Sequence, residues 1–261
     1  MQADRYVFSN EFPEKEISNA WDNGQHIVGM AYGQGKWVLL SSTKTKYGLQ
    51  RWATNGNFPA DEIKEGWDEG FDIVFLSYVN DRWVVLLCKE SGFVDQIWRT
   101  SSKFPDKEVK KGLSEGYKIT SVSYGVDRWA VVMSKGPRFT EQSVRITSAF
   151  PENEIKEGWD AGMDVTSLAE GNGEWVLVMS ANSGYETQSW ATRNNFEQAL
   201  VKEKAAAGND IGVLTYAGGM WNYVFTNYGN HGTGLAESSS ASAPRSEEQT
   251  SELQSRQVLS Y

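Results

Sequence analysis

The sequence predicts a mainly β fold with short helices, in which five copies of one 46-residue unit close into a five-bladed, propeller-like ring. Three observations predict it: a Phe that recurs every 46 residues, a Gly twelve positions after each Phe, and a Trp twenty-five positions after each Phe. Self-similarity at a fixed period is the signature of repeat architectures. Residues 1–234 are predicted to form one domain. Its units begin near Phe12, Phe58, Phe104, Phe150 and Phe196.

The first element of each unit is a short helix. In the second unit Pro59 opens the helical pattern, acidic residues follow in the first turn, and Gly70 ends it. Ile63 and Trp67 are four residues apart, so both side chains should lie on the inward face. The helix-ending glycines are predicted to adopt positive φ.

A hairpin and a third strand follow the helix. In the third unit the two hairpin strands are predicted at residues 119–124 and 129–134, with a turn at 125–127. The second hairpin strand is apolar without alternation, which indicates cover on both faces. The third strand carries a Gln two residues before an aromatic, as in Gln96-Ile-Trp98. One unit is therefore three strands and one helix.

The two ends of the repeat region predict how the ring closes. Residues 5–12 resemble a third strand, whereas residues 229–234 are too rich in glycine to form one. The fifth unit is thus predicted to lack its third strand. Residues 2–9 are expected to supply it by pairing with the unit that contains Trp221, which would remove both exposed edges. The main alternative is the pentein-like five-fold α/β toroid.

Composition excludes several kinds of partner. The 261 residues carry 25 basic and 34 acidic side chains, a formal net charge of −9, so a nucleic-acid partner is not expected. No apolar run approaches the ~20 residues that span a bilayer, and no basic segment followed by an apolar one opens the chain. We expect no membrane association and an intracellular location, cytoplasmic or nuclear. The lone Cys88 lies in an apolar run and is predicted to be a buried thiol.

The residue types that carry catalysis or bind metals are sparse. Only His26 and His231 are present, neither with a Cys or His at ligand spacing, so we expect no zinc site and no His-dependent triad. Asp22, Asp68 and Asp160 share one repeat position beside the helix end, which favours a structural role because a catalytic pair needs two different environments. No catalytic residue, metal or cofactor is predicted.

Two rows of aromatic residues recur with the repeat. The row of Trp37, Trp83, Trp129, Trp175 and Trp221 is predicted to be core. The third-strand row, which includes Tyr6, has two interpretations: aromatics that join neighbouring blades, with Gln side chains satisfying backbone groups, or a carbohydrate-binding surface. The candidate ligand-binding residues are Gln50, Trp52, Gln96, Trp98, Gln142, Gln188 and Trp190.

The repeat also supports a family resemblance. The pattern Phe-Pro-x3-Ile-x3-Trp-x2-Gly-x2-Ile, followed by Tyr and by Trp-x-Val-Val-x-Ser, resembles the repeat region found C-terminal to the catalytic domain of plant casein-kinase-1-like, histone-directed kinases. The match extends from residue 5 to about residue 228. The Gly-rich loop, His-Arg-Asp loop and Asp-Phe-Gly of a kinase are absent, so the resemblance implies an accessory region and no kinase activity.

The tail differs from the repeat. Residues 235–261 are predicted to be disordered, and residues 246–255 resemble a translated sequencing adapter, so the tail is expected to be a sequencing or assembly artefact. The predicted function is a non-catalytic scaffold that binds a protein partner, with a multivalent lectin-like protein as the alternative. A third hypothesis is an enzyme site assembled from unrepeated loops. The departures from the repeat that could mark one are Leu113 for Trp, Glu170 for Tyr, and the Ala-rich fifth helix at 205–207.

Overall fold

The computed structural model describes residues 3–228. They form five three-stranded antiparallel sheets, and one short helix accompanies each sheet. The strands that precede the helices are β1 Arg5–Ser9, β4 Gln50–Asn55, β7 Asp95–Ser101, β10 Gln142–Thr147 and β13 Thr187–Arg193. The helices are α1 Glu14–Asp22, α2 Ala60–Asp68, α3 Asp106–Ser114, α4 Glu152–Asp160 and α5 Gln198–Ala206. The first hairpin strands are β2 His26–Gly33, β5 Asp72–Val79, β8 Lys118–Gly125, β11 Met163–Gly171 and β14 Asp210–Ala217. The second hairpin strands are β3 Lys36–Ser42, β6 Arg82–Cys88, β9 Arg128–Lys135, β12 Glu174–Ala181 and β15 Met220–Asn227.

The second hairpin strand is the middle strand of every sheet. The order is β1-β3-β2 in the first sheet, and the other four sheets repeat it. The prediction that this strand is covered on both faces is confirmed, since every residue from Trp83 to Cys88 is buried. The Cys88 thiol lies inside the sheet as expected, and burial raises its pKa.

The prediction that the N-terminal strand completes the fifth sheet is wrong. Strand β1 pairs with β3 in the first sheet, where Tyr6 lies opposite Leu40. The outer strand of the fifth sheet is β13, with Trp190 opposite Val224. Each third strand therefore pairs with the hairpin that follows it. Sheets built from consecutive segments avoid the entropy of closing a loop of some 200 residues, and residues 229–234 lie outside the described part of the chain.

The helices follow the sequence prediction closely. The positive φ expected at the helix-ending glycines is confirmed, with values of 68° to 88° at Gly24, Gly70, Gly116, Gly162 and Gly208. Ile63 and Trp67 are both buried on the inward face of α2. Pro59 stands one residue before the first helical residue, as the N-cap, with φ −81° and ψ 57°. Its carbonyl accepts the Ile63 amide at 3.0 Å, so it still opens the helix.

The predicted Trp core is confirmed. Four of the five indole rings in the row, those of Trp37, Trp83, Trp129 and Trp221, are almost completely buried, and Trp175 is buried as well. Each ring packs against the Phe that begins its unit, with ring centroids 5.2 to 6.1 Å apart. Within residues 3–228, no helix has the length and apolar character needed to cross a membrane.

Neighbouring sheets contact each other through their first hairpin strands. The Tyr78 ring lies over Gly125 of the next sheet so closely that a Cβ added there would be 2.1 Å from its Cγ. The first and fifth sheets meet in the same way, because a Cβ on Gly33 would lie 2.4 Å from Cγ of Tyr216. Glycine at these positions is required by the close approach of the tyrosine.

Further contacts join the first and fifth sheets. Ala3 and Ile211 exchange two backbone hydrogen bonds, of 2.8 and 3.0 Å. The Trp221 Nε1 donates to Gln34 Oε1 at 3.1 Å, and Lys44 forms an ion pair with Asp210. Strand β14 also contacts β2, just as the other first hairpin strands contact their neighbours.

Candidate ligand-binding site

The Gln row of the third strands bridges neighbouring sheets. Gln96 Oε1 accepts hydrogen bonds from the Ile73 backbone N–H at 2.7 Å and from Trp67 Nε1 at 3.2 Å, and its Nε2 donates to the Ile73 carbonyl at 2.9 Å. Gln96 lies in β7 and Ile73 in β5, so one carboxamide ties two sheets together. Gln50 and Gln188 make the same three kinds of bond.

Two members of the row differ for identifiable reasons. Gln142 bonds both backbone groups of Ile119, but Leu113 replaces the Trp of the helix, so no indole donates to it. Between the fifth and first sheets the repeat position is Asp4, and the backbone N–H and carbonyl of Ala3 form the two bonds to Ile211 instead.

The third-strand aromatics pack against rings rather than lining a cleft. Their centroids lie 4.7 to 5.0 Å from the phenylalanines of the preceding sheet, in the pairs Trp52–Phe12, Trp98–Phe58 and Trp190–Phe150. Tyr6 makes the equivalent contact with Phe196 at 5.2 Å. None of the seven predicted ligand-binding residues lines either cavity described below. The geometry therefore supports the inter-sheet interpretation and gives no support to a carbohydrate site at these rows.

A different aromatic row lines a cavity of about 100 Å³. It consists of four residues spaced by 46, which the sequence analysis did not single out: Tyr47, Phe93, Phe139 and Tyr185. They lie in the segments 42–49, 89–94, 135–141 and 181–186, which connect each second hairpin strand to the next sheet. We call these segments the loop face and the cavity the loop-face pocket.

A hydrogen-bonded latch positions two of the aromatics. Ser91 Oγ donates to the Asp72 carboxylate at 2.5 Å and accepts from the Phe93 backbone N–H at 2.9 Å. Ser183 makes the same pair of bonds, to Asp164 and from the Tyr185 N–H. Burial raises the pKa of Asp164, and the Ser183 hydrogen bond partly opposes that rise.

The equivalent positions in the other loops change together. In the first loop Thr45 Oγ1 lies 2.8 Å from His26 Nδ1, at the positions of Ser91 and Asp72. In the third loop Pro137 and Lys118 occupy them, and Lys118 Nζ instead donates to the Thr140 carbonyl. At the repeat position of Asp72, an acid is present only in units where a loop supplies a hydroxyl or a cation that binds it. This correlation indicates that the pairs hold the loops in place.

The Thr45–His26 contact has the composition of a nucleophile and its base. Burial lowers the pKa of His26, so the ring is neutral at pH 7. The same two repeat positions hold loops through Ser91 and Ser183, however, which favours a structural role for Thr45. Among residues 3–228, no group of three or more His, Cys, Asp or Glu side chains could hold a metal ion. Asp22, Asp68 and Asp160 are exposed at the last position of their helices, away from the pocket.

Two chemically different groups of residues line the loop-face pocket. Phe93, Phe139, Pro137 and Ile119 form an apolar group. The second group consists of three tyrosines, Tyr47, Tyr185 and Tyr228. The Tyr185 hydroxyl hydrogen-bonds Tyr228, and their rings meet at 4.8 Å. Burial raises the pKa of all three phenols, so they stay neutral at pH 7.

A second cavity of about 220 Å³ continues from the pocket. It is lined by the first hairpin strands of all five sheets and shares Val74, Thr120, Ser121 and Thr166 with the loop-face pocket. Glu170, the departure from the Tyr row, lies in its wall. Desolvation raises the pKa of Tyr124, and the nearby carboxylates of Asp127 and Glu170 add to the rise.

A family model matches residues 1–131 and, in a second segment, residues 128–215. The chain belongs to the DUF7477 family. This family is described as a domain of unknown function. No similar protein was found among curated sequences. The DUF7477 description names no activity, so the resemblance to kinase-associated repeats stays a prediction.

The period itself could have revealed the pocket of this DUF7477 chain. Residues at 46-residue spacing after Tyr47 are aromatic in three further units, at Phe93, Phe139 and Tyr185, which is the same regularity that identified the Trp rows. The residue type varies between Tyr and Phe, and the flanking segments resemble loops. No fixed sequence motif therefore marks the row. Sequence reasoning therefore passed over it.

Proposed function

We propose that this protein is a non-catalytic binding module in which the five sheets form a closed, five-bladed, propeller-like ring whose loop face holds a protein partner. The observation that carries the proposal is an aromatic pocket beside exposed apolar side chains. Leu49 is 68% exposed and Val94 is 52% exposed, the two highest values for large apolar side chains within residues 3–228. Leu49 lies two residues after the pocket residue Tyr47, and Val94 lies one residue after the pocket residue Phe93.

The contacts between the first and fifth sheets support the closed ring. The Tyr216–Gly33, Tyr6–Phe196 and Ala3–Ile211 contacts are counterparts of contacts that join consecutive sheets. A single cavity touches all five first hairpin strands, as an axial channel would. We prefer this ring to the pentein-like toroid because every sheet is antiparallel and each helix has only nine residues.

A protein partner accounts for the exposed apolar sector. Exposed apolar side chains beside an aromatic pocket are typical of protein–protein interaction sites. The position of Leu49 is occupied by Glu141 two units later, and that of Val94 by Glu186. The apolar surface is thus confined to the second and third sheets, which defines a patch rather than a uniform face.

Site-specific photo-crosslinking tests the docking surface. A benzophenone amino acid placed at Leu49 should give a discrete adduct in native extract, and the same probe at Ile146 should not. Ile146 is a matched control because it is 45% exposed but lies on β10, away from the pocket lining. Equal labelling from both positions would contradict a partner on the loop face.

We further propose that a casein-kinase-like protein is such a partner, on the resemblance of the repeats alone. A purified kinase of that class should then crosslink through Leu49 and not through Ile146. Adducts that form with other proteins but never with the kinase would leave the binding module standing and reject the kinase as its partner.

The purified protein is expected to show no ATPase, kinase or glycosidase turnover. We assign the hydroxyl pairs of the pocket to holding the loops in place. Thr45→Val should therefore change the stability of the protein and have no effect in turnover assays. Turnover assays on the unmodified chain and on this variant provide the check. Turnover that disappears in Thr45→Val would mean that the Thr45–His26 pair is catalytic.

A further inference from the structure

We infer that the loop-face pocket receives one aromatic side chain with an uncharged polar tip, a tyrosine, from the protein partner. This inference rests on the proposed function and specifies the group that anchors the partner. Interfaces commonly concentrate their affinity in one or two buried anchors of this kind, surrounded by contacts that exclude water. The exposed Leu49 and Val94 are suited to the surrounding role.

The apolar group of lining residues selects a ring. Phe93 and Phe139 come from consecutive loops, and Pro137 and Ile119 line the same pocket. Aromatic rings favour edge-to-face or offset contacts with other rings, so a planar side chain gains more here than an aliphatic one. The Phe93 backbone is fixed by the Ser91–Asp72 latch, which means that this part of the pocket is already formed before a partner arrives.

The tyrosine group selects a polar tip. Tyr47, Tyr185 and Tyr228 all line the pocket, and their phenol groups interact electrostatically with one another, so they form one polar cluster. A phenol oxygen has two acceptor lone pairs, so a hydroxyl that already takes part in one hydrogen bond can accept another. A ligand hydroxyl can therefore donate a further hydrogen bond to this cluster, whereas an unsubstituted phenyl ring cannot.

The charges around the pocket favour a neutral tip over an anion. Asp72, Asp164 and Asp210 lie at the base of the loops, while Lys44 is paired with Asp210. The other two cations there are Lys118, at the position of Asp72 in the third loop, and Arg138, which lies near Tyr228. Three cations against three carboxylates leave no net positive charge to offset the desolvation of the two charges of a phosphorylated tyrosine.

Three small probes test the inference without the partner: N-acetyl-tyrosinamide, N-acetyl-phenylalaninamide and N-acetyl-O-phosphotyrosinamide, titrated against the intact chain by ligand-observed NMR. The tyrosine probe should bind about threefold to tenfold tighter than the phenylalanine probe, the equivalent of one net hydrogen bond, and the phosphotyrosine probe more weakly still. Phosphotyrosine binding tightest, or equal binding of all three, would overturn the inference.

Two variants assign the binding to the pocket. Tyr185→Phe keeps the ring and should reduce the preference for tyrosine over phenylalanine, because only Tyr47 and Tyr228 keep their hydroxyls, while the phenylalanine probe binds as before. Phe139→Ala should weaken both probes, and Ile146→Ala serves as the unaffected control. An unchanged preference in Tyr185→Phe counts against the site. Crosslinking through Leu49 without probe binding would reject only the tyrosine anchor, whereas probe binding without any adduct would reject the partner surface.

Discussion

Side-chain amides can imitate peptide groups, because both present a carbonyl acceptor beside N–H donors. Gln96 uses this equivalence to pair with Ile73 of the preceding sheet, and Ala3 uses its own backbone N–H and carbonyl to pair with Ile211. At the first repeat position Asp4 stands in place of Gln, and the same two kinds of hydrogen bond are still made there. The bridge between sheets is therefore kept where the Gln is not.

Gln96→Ala should lower the free energy of unfolding by about 2 to 4 kcal/mol, because the buried Ile73 groups and the Trp67 indole lose their partner. Gln142→Ala is the matched control. Gln142 is only half-buried and has no indole partner, so water can reach its partners and the loss should be nearer ~1 kcal/mol. Denaturant unfolding of both variants measures the difference, and equal losses would contradict the clamp.

Asp164→Asn should stabilise the protein at neutral pH. Burial raises the pKa of Asp164 above its unfolded value of 3.8, so ionisation costs stability above the folded pKa, and that cost disappears as the pH falls below the unfolded value. The asparagine keeps an acceptor for Ser183 without the charge. Urea midpoints measured from pH 7 to pH 3 should therefore show the gain of the variant shrinking with acidity. A gain that grows on acidification would reverse the assigned sign.

At the scale of elements, the hairpin turns impose left-handed backbone on two successive residues. Four of the five turns place Asn, Gln, Asp or Gly there, but the third uses Val126, at φ 50°, beside Asp127 at φ 56°. Positive φ is unfavourable for a β-branched residue, and the two-residue turns that match strand twist require it. The third hairpin therefore carries local strain that its neighbours avoid.

Val126→Asn should raise the free energy of unfolding by about 1 kcal/mol, because Asn tolerates positive φ and Val126 is largely exposed, so little burial is lost. The reciprocal change in the second hairpin, Asn80→Val, should lower it by a similar amount. Thermal unfolding of the pair checks both signs. A stabilised Asn80→Val would show that backbone strain does not govern these turns.

The 46-residue period determined how much of the structure could be predicted from the sequence. It located every helix, the buried middle strands and the glycines with positive φ, since these follow from local patterns such as Ile63 with Trp67. It could not decide which hairpin each third strand joins, because both pairings satisfy the same repeat. That choice depends on the connection through the helix, which brings Asn55 opposite Trp83.

For the candidate site, the sequence left two interpretations open. An aromatic beside an amide is typical of sugar binding, yet Gln50 and Trp52 contact Ile27 and Phe12 of the neighbouring sheet. The repeat marks all four positions, but nothing in the sequence shows which of these side chains meet. The loop aromatics such as Tyr47 were visible as a period, but only the structure shows that they converge.

At the scale of the whole molecule, the closure that we propose depends on contacts between the first and fifth sheets rather than on a shared strand. Ala3, Gln34 and Lys44 of the first sheet bond to Ile211, Trp221 and Asp210 of the fifth. A ring closed in this way unfolds as one unit, whereas an open stack of sheets would fray from its ends.

Amide hydrogen exchange at Ala3 and Ile211 tests the closed ring most directly. Their two N–H groups bond each other's carbonyls, so both should exchange only with global unfolding, even though Ala3 is the third residue of the chain. The Ile119 amide, which Gln142 holds in the middle of the repeat, provides the reference. Protection at Ala3 and Ile211 equal to that at Ile119 is the predicted result. Exchange of Ala3 at the rate of a free terminus, with Ile211 unprotected, would contradict the ring.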